Sequence, residues 1–458
     1  MMNLSAAARA IGGVLSRDDP EFHAVGTDSR AVTPGMLFVA LKGERFDGHD
    51  YVRDVLAQGA AGALVARDWA AANPDLPLVA VDDTRPALGK LAAHWRARFA
   101  IPLVGITGSN GKTTVKEMCA AILRLHFGTD AVLATQGNLN NDIGLPLTLL
   151  KLRDTHRAAV IEMGMNHAGE IAYLTRLARP TVAVVNNAQR AHLEGLGSVT
   201  AVAQAKGEIF EGLGGDGVAV INADDPHAAL WHSLNAGRRV CGFGFCAAAE
   251  VRGQWRPRGV NEGFGGTLNL SAPAGAIDIE LQVAGEHNAR NALGAAAACL
   301  AAGVPLAVIA AALSGYAGVK GRLQRRAGLN GAMLIDDTYN ANPDSMRVAI
   351  DVLAAVPGKR ILVMGDMGEV GEAAAQFHDE IGGHAKSCGI ERLFALGGLA
   401  ADAVHNFGVG ARHFESVEAL VAALKPELDA ATTVLIKGSR FMRMERVVEA
   451  IEEKPDAA

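Results

Sequence analysis

Eight residues, Thr107-Gly108-Ser109-Asn110-Gly111-Lys112-Thr113-Thr114, have the types and spacing needed to hold a polyphosphate. They follow the apolar run Leu103-Val104-Gly105-Ile106 and lead into Val115-Lys116-Glu117-Met118. The expected setting is therefore a buried strand, a glycine-rich turn and a helix start. Glycines let backbone N–H groups converge on anionic oxygens, and the helix N-terminus adds its positive dipole end. Lys112 would reach the β/γ-phosphates, and a threonine hydroxyl would hold Mg²⁺. The general P-loop carries a glycine where this chain has Ile106, so the loop is a shortened T-G-x-x-G-K-T form.

Other polar groups stand where strands end. Glu162 closes the apolar run Ala158-Ala159-Val160-Ile161 and is followed by Met163-Gly164. A carboxylate there suits Mg²⁺, although a helix N-terminal acid is the alternative. His192, beyond Val182-Ala183-Val184-Val185, is either a ligand or a satisfied structural histidine. Lys206 reads as a solvated helix residue. Asn288 and Asn291 are three apart and share a helix face, suited to reading an adenine edge or bracing a loop; helix capping by Asn288 competes. Arg322 sits at a segment junction, from which a guanidinium could reach phosphates. Asp336-Asp337-Thr338-Tyr339-Asn340-Ala341-Asn342-Pro343 follows a further strand and is either a nucleotide-facing loop or a plain βα turn.

These groups must be positioned by several layers. A chain of 458 residues is long enough for about three domains. Half the residues are hydrophobic, with few aromatics, which favours α/β layers. Residues 1–99 alternate short strands with Gly/Asp turns and end in a helix over 85–98. Residues 100–318 repeat strand and helix, predicting a P-loop domain with a mostly parallel sheet, then turn β-like over 249–283. Residues 319–458 form a Rossmann-like βα segment with strands at 333–335, 361–364, 393–396 and 434–436. It lacks G-x-G-x-x-G, which argues against bound NAD. Residues 294–313 are uncharged, but Gly303-Val304-Pro305 divides them into two packed helices rather than a membrane span. The last residues, 453–458, are expected to fray.

Lys and Arg number 43 against 49 acidic residues, a net charge of −6 that argues against a general nucleic-acid binder. Five scattered cysteines without C-x-x-C read as reduced thiols of a cytoplasmic protein, and Cys241 and Cys246 have no partners at zinc spacing. No signal-peptide pattern opens the chain. No G-x-S-x-G or H-E-x-x-H motif competes with the phosphate loop.

Taken together, the loop, Glu162, His192, Asn288 with Asn291, Arg322 and Asp337 resemble, in order, the motifs of the Mur ligase family of ATP-dependent amide-forming enzymes. The resemblance extends over nearly the whole chain. Within the family it is strongest to the member that adds D-Ala-D-Ala. That choice rests on Thr27-Asp28-Ser29-Arg30 with Leu37-Phe38-Val39-Ala40-Leu41-Lys42-Gly43, on the stretch 137–146, on the 336–343 loop, and on Gly365-Asp366-Met367-Gly368-Glu369. The D-Y-A-H-T-P and D-N-P-R motifs of the enzyme adding the third peptide residue are absent. Folylpolyglutamate synthases lack the N-terminal module. Asn187-Ala188-Gln189-Arg190 departs from the commoner N-I-G-x and leaves the role of Gln189 open.

The resemblance implies a ligase of peptidoglycan precursor synthesis. Its substrates would be UDP-N-acetylmuramoyl-tripeptide, D-Ala-D-Ala and ATP with Mg²⁺, reacting through an acyl phosphate. It implies a nucleotide site of Gly108, Ser109, Asn110, Gly111, Lys112, Thr113, Thr114, Asn288, Asn291, Arg322, Asp337, Tyr339 and Asn340. It implies catalytic roles for Lys112, Glu162, His192, Lys206 and Arg322, with Thr113, Glu162, His192 and a carbamylated Lys206 around metal. Ser29, Arg30, Lys42, Gly43, Asp47 and His49 would hold the uridine nucleotide. A cytoplasmic monomer without nucleic-acid or membrane partners is expected.

Overall fold

The computed structural model describes residues 1–258 and 264–453. Three large sheets organise them, beside a two-stranded one of Met2–Asn3 and Glu21–Phe22. The first has five strands in the order Val14–Leu15, Leu78–Val81, Gly62–Ala66, Met36–Val39, Ala24–Gly26, parallel except for the first. The central sheet has nine strands. Seven of them run in parallel from the Val132–Ala134 edge to Val251–Pro257, and the hairpin Gly266–Ala272/Gly275–Leu281 adds two antiparallel ones. The third has six strands, five of them parallel. Helices cover the parallel sheets on both faces, which is why strands such as Val182–Val185 and Ala158–Glu162 are buried along their whole length.

Leu103–Thr107 lies between Ala158–Glu162 and Val182–Val185, with Val132–Ala134 beyond the first and the strands after Val182–Val185 beyond the second. A crevice opens at the strand C-termini where the order reverses, and the phosphate loop occupies it. Behind the loop, the helix Lys112–Phe127 packs on the alanine-rich helix Glu286–Ala301, close enough that Cys119 Sγ lies 3.9 Å from the Ala295 carbonyl. The uncharged 294–313 segment is indeed two helices, Glu286–Ala301 and Leu306–Ser314. Among the described residues no helix is long and apolar enough to cross a membrane.

Several elements escaped the sequence pattern. Gln324–Ala327 and Ala411–Phe414 are edge strands of the third sheet with mixed burial, so they carry no apolar run. The helix expected to start at Asn288 begins at Glu286 with Gly285 as its cap, so Asn288 does not cap it. Glu453 does not fray: its N–H donates to Ala327 O at 3.0 Å. The rest of the segment expected to fray, 454–458, lies outside the described residues, as do 259–263.

The first two sheets are bound by one hydrophobic core. Its hinge piece is the helix Thr84–Arg96, which packs between them. Trp95 is buried, donates from Nε1 to Leu152 O at 3.0 Å, and meets Phe99 edge-on. Buried Arg96 donates to the carbonyls of Ala178 and Phe99, and Arg85 pairs with Asp142. Trp95→Ala removes this contact and should cost about 3–5 kcal/mol. Denaturant unfolding followed by circular dichroism should show one transition moved to lower concentration for both domains. A separate early transition of the N-terminal domain alone would mean that the core is not shared.

Candidate functional site

The phosphate loop is built by a buried strand that delivers Thr107, whose hydroxyl donates to Met163 O at 2.9 Å. Gly111 takes φ +76, and a Cβ there would meet Asn291 Oδ1 at 2.5 Å and Asn186 Nδ2 at 2.7 Å. Only glycine satisfies both the left-handed backbone and this close approach. Gly111 is also the N-cap of Lys112–Phe127 and supplies no side-chain cap, so the first helical N–H groups face the crevice. A layer of amides fixes the loop from outside. Asn187 Oδ1 accepts from Asn110 N at 2.8 Å, Gln189 Oε1 from Asn110 Nδ2 at 2.6 Å, and Gln189 N donates to Ser109 Oγ at 2.9 Å. Gln189, whose role the sequence left open, therefore helps clamp the loop.

A cavity of about 820 Å³ surrounds the loop. It gathers Ser109 to Thr114, Glu162, His192, Asn288, Asn291, Arg322, Asp337, Tyr339 and Asn340 from two domains. Gly108 contributes its carbonyl, which accepts from Lys112 Nζ at 2.6 Å, with Ser109 O at 3.2 Å. Glu162 is buried. Its Oε2 accepts from Thr113 Oγ1 and its Oε1 from Asn140 Nδ2, both at 2.8 Å. Arg322 Nη2 donates to the same Thr113 hydroxyl at 2.9 Å, and its guanidinium lies 4.3 Å from the centre of the Tyr339 ring. Two hard oxygen donors side by side, with cations around them, fit a Mg²⁺-nucleotide.

Some predicted residues act at one remove. Asn288 donates to Ala284 O at 2.8 Å and accepts from Asn291, whose Oδ1 accepts from Asn186 at 2.9 Å. Asn186 in turn reaches Asn110 O at 2.9 Å, so this amide chain braces the loop, the second of the roles the pair allowed. Asp337 accepts from Leu323 N at 3.1 Å and from Lys437 Nζ at 2.6 Å, which holds the backbone beside Arg322. Burial pushes the Asp337 carboxyl up, against the pull of Lys437.

Lys206 corrects its solvated reading: it is wholly buried, and its Nζ has no hydrogen-bond partner among the described residues. Burial, with Lys112 nearby, drives its pKa well below the usual lysine value. Lys112 is lowered the same way. His192 is also lowered, first by burial, with Lys112 and Lys206 adding to the shift. His192 has φ +57, and its Nδ1 lies 3.0 Å from Glu369, another left-handed residue at φ +59. Two strained residues facing each other across a domain junction mark a place where position outweighs backbone comfort.

The residues expected at the uridine end lie in the first domain and do not line this cavity. Ser29 is half-buried; Arg30 is exposed and pairs with Asp28 at 2.9 Å, holding the Asp28 carboxyl down at about 2. Lys42 and Gly43 open a small hairpin closed by Asp47, 3.7 Å from Lys42. His49 is corrected. It is buried, its Nε2 accepts from Ala66 N at 3.0 Å and its Nδ1 meets Asp47, so it anchors this hairpin.

Sequence reading missed Asn140, Arg190, Glu369 and Lys437. Asn140 lies in the 137–146 stretch and Glu369 in Gly365–Glu369, both noted only as similarities; Lys437 closes a strand, a signal that could have found it. Arg190 joins the central and third domains. It donates to Asp344 at 2.7 and 3.0 Å and to Glu380 at 3.2 Å, and stacks over Phe377.

Fold and cavity define a three-domain P-loop nucleotide-binding protein. The chain belongs to the Mur ligase family. Family models match in three stretches: the Mur ligase family catalytic domain over 21–96, the Mur ligase middle domain over 106–299, and the Mur ligase glutamate ligase domain over 321–440. The chain is 44% identical to the UDP-N-acetylmuramoyl-tripeptide--D-alanyl-D-alanine ligase of Escherichia coli (strain K12), covering 99% of this chain and 98% of that one. It is 35% identical to the enzyme of the same name from Bacillus subtilis (strain 168), covering 98% of each. The structure is similar to that of MurF from Acinetobacter baumannii, with a TM-score of 0.90, 34% identity and 98% of each chain covered. It is similar also to MurF ligase from Thermotoga maritima in complex with ADP, with a TM-score of 0.81, 29% identity, and coverage of 93% of this chain and 96% of that one.

Arg190→Ala should remove about 1–2 kcal/mol from the docking of the third domain, because charge-assisted bonds are strong but these are partly exposed. Small-angle scattering should then report a larger radius of gyration, with Arg190→Lys in between. An unchanged scattering curve would show that the junction does not depend on Arg190.

Proposed function

We propose that this protein joins D-alanyl-D-alanine to UDP-N-acetylmuramoyl-tripeptide at the expense of ATP, through an acyl phosphate, in peptidoglycan precursor synthesis. The carrying observation is the bond series Arg322–Thr113–Glu162, which ties a phosphate loop to a buried carboxylate and to a cation from the next domain. The names of the relatives support the two substrates, and the ADP complex of the Thermotoga maritima structure supports ATP.

A carboxylate is a poor electrophile, and phosphorylation gives it a leaving group that the dipeptide amine can displace. The protein's task is then positioning and charge neutralisation, with no protein nucleophile. Gly108 to Thr114 hold the phosphates through backbone N–H groups, and Lys112 balances charge on the transferring phosphoryl group. Arg322 reaches the phosphates from the third domain. Tyr339 and Asn340 flank the adenosine, while Asn288, Asn291 and Asp337 keep the loop and Arg322 in register. Thr113 and Glu162 would hold one Mg²⁺, and His192 with Glu162 and carbamylated Lys206 a second; Mg²⁺ supplies neutralisation of phosphate charge. Ser29, Arg30, Lys42 and Gly43 hold the uridine diphosphate, Asp47 and His49 shape their loop, and the third domain receives the dipeptide. We set the domains at 1–99, 100–318 and 319–458. The protein acts as a cytoplasmic monomer, a setting that suits its free cysteines.

Phosphate release from ATP should require both the tripeptide nucleotide and D-Ala-D-Ala, and diaminopimelate, L-Lys or glutamate should not replace the dipeptide. Release with one of these instead would assign a different amine acceptor. Glu162→Gln should lower kcat on the order of 10²-fold or more.

The depressed pKa of Lys206 keeps its amine neutral at a pH where an ordinary lysine is charged. A neutral amine attacks CO₂, forming an N–C bond and releasing a proton to leave an anionic carbamate. As pH falls through the lowered pKa the amine protonates, so the bicarbonate needed for full activity should rise on acidification. Intact-mass measurement should find the CO₂ adduct, lost in Lys206→Ala. Full activity of that variant under limiting bicarbonate would sink the idea.

A further inference from the structure

A separate group of metal-type ligands lies on the third domain, away from the cavity. His384 and Cys388 are four residues apart at the end of the helix Ala374–Ser387, so their side chains stack on one face. The neighbouring helix Pro343–Ala354 brings Asp351 against them. Cys388 Sγ lies 3.6 Å from His384 Nε2 and 3.7 Å from Asp351 Oδ1, and Nε2 lies 2.8 Å from Oδ1. In a tetrahedral site with bonds of about 2.0–2.3 Å, ligand atoms stand roughly 3.3–3.8 Å apart. Both sulfur distances already meet that spacing. The third must widen by roughly half an ångström for such a site, which rotation of the exposed Asp351 carboxylate supplies.

We propose that Asp351, His384 and Cys388 form a binding site for a thiophilic divalent cation of the Zn²⁺ class, with water as fourth ligand. A thiolate, an imidazole and one carboxylate favour such an ion over the hard Mg²⁺, which prefers oxygen alone. On binding, the Cys388 thiol loses its proton to solvent, the sulfur donates to the metal, and the imidazole binds through Nε2 with its proton on Nδ1. The ion links the two helices that carry Asp344 and Glu380, the carboxylates held by Arg190, and so fixes their spacing.

The test uses the full-length, tag-free protein after chelator treatment. Co²⁺ should bind at one thiolate-containing site per chain, give a sulfur-to-metal charge-transfer band, and be displaced by Zn²⁺. The cavity around the phosphate loop contains no cysteine, so the band separates this site from the nucleotide site. Cys388→Ser should abolish the band, and His384→Ala and Asp351→Asn should each weaken binding by about tenfold or more. Cys246→Ser should leave the band intact. Zn²⁺ should raise the thermal midpoint of the wild type but not of Cys388→Ser, with circular dichroism of the metal-free variants confirming the fold. Absence of the band in the wild type, or its persistence in Cys388→Ser, would overturn the proposal.

Discussion

One hydroxyl proton holds the site together. Thr113 Oγ1 has a single hydrogen, which goes to Glu162, leaving its lone pairs to accept from Arg322. The phosphate loop, the buried carboxylate and a guanidinium beyond the domain junction are thereby placed in one geometry. Asn140 takes the second carboxylate oxygen, so Glu162 cannot rotate without leaving a buried charge short of a partner. Such a loss costs about 1–3 kcal/mol or more for a charged group, which makes the arrangement close to all-or-none.

Around this node the fold crowds like charges. Lys112, Lys206 and Arg322 converge on a region in which burial already disfavours cations, and the two lysines respond with lowered pKa values. A shifted lysine in a cavity, such as Lys112, marks a site built for a ligand more than for stability, since an apolar side chain would sit there at lower cost. Lys206, which does not line the cavity, is a wholly buried amine near Lys112 with no bonded partner among the described residues.

The two domain junctions differ in kind. The first and central domains share an apolar core through the helix Thr84–Arg96. Between the central and third domains the contacts are mixed: Arg190 with Asp344 and Glu380, Asn110 with Asn342 and His192 with Glu369 are polar, while Leu193 and Phe264 pack against the third-domain core. Water can replace polar partners at less net cost than a buried core, so the second junction, with more polar contacts, is the easier of the two to open. Gln189 and Arg190 are adjacent and serve opposite sides of it, one fixing the phosphate loop and the other the third domain.

The amino-acid order by itself determined the parallel α/β layering, the phosphate loop and the acid at the end of Ala158–Glu162, because continuous apolar runs and glycine spacing are local properties. It also held enough motif order to identify the family. Edge strands such as Gln324–Ala327 stayed hidden because their side chains are not buried on a regular period. Tertiary structure alone decided the partnerships. That Lys206 is buried, that Asn288 and Asn291 brace the loop, that His49 points inward, and that Arg190 and Asp351 meet residues on other elements all follow from long-range packing. Burial and partner distance set the charge state and role of a polar side chain, and neither is encoded in its immediate neighbours along the chain.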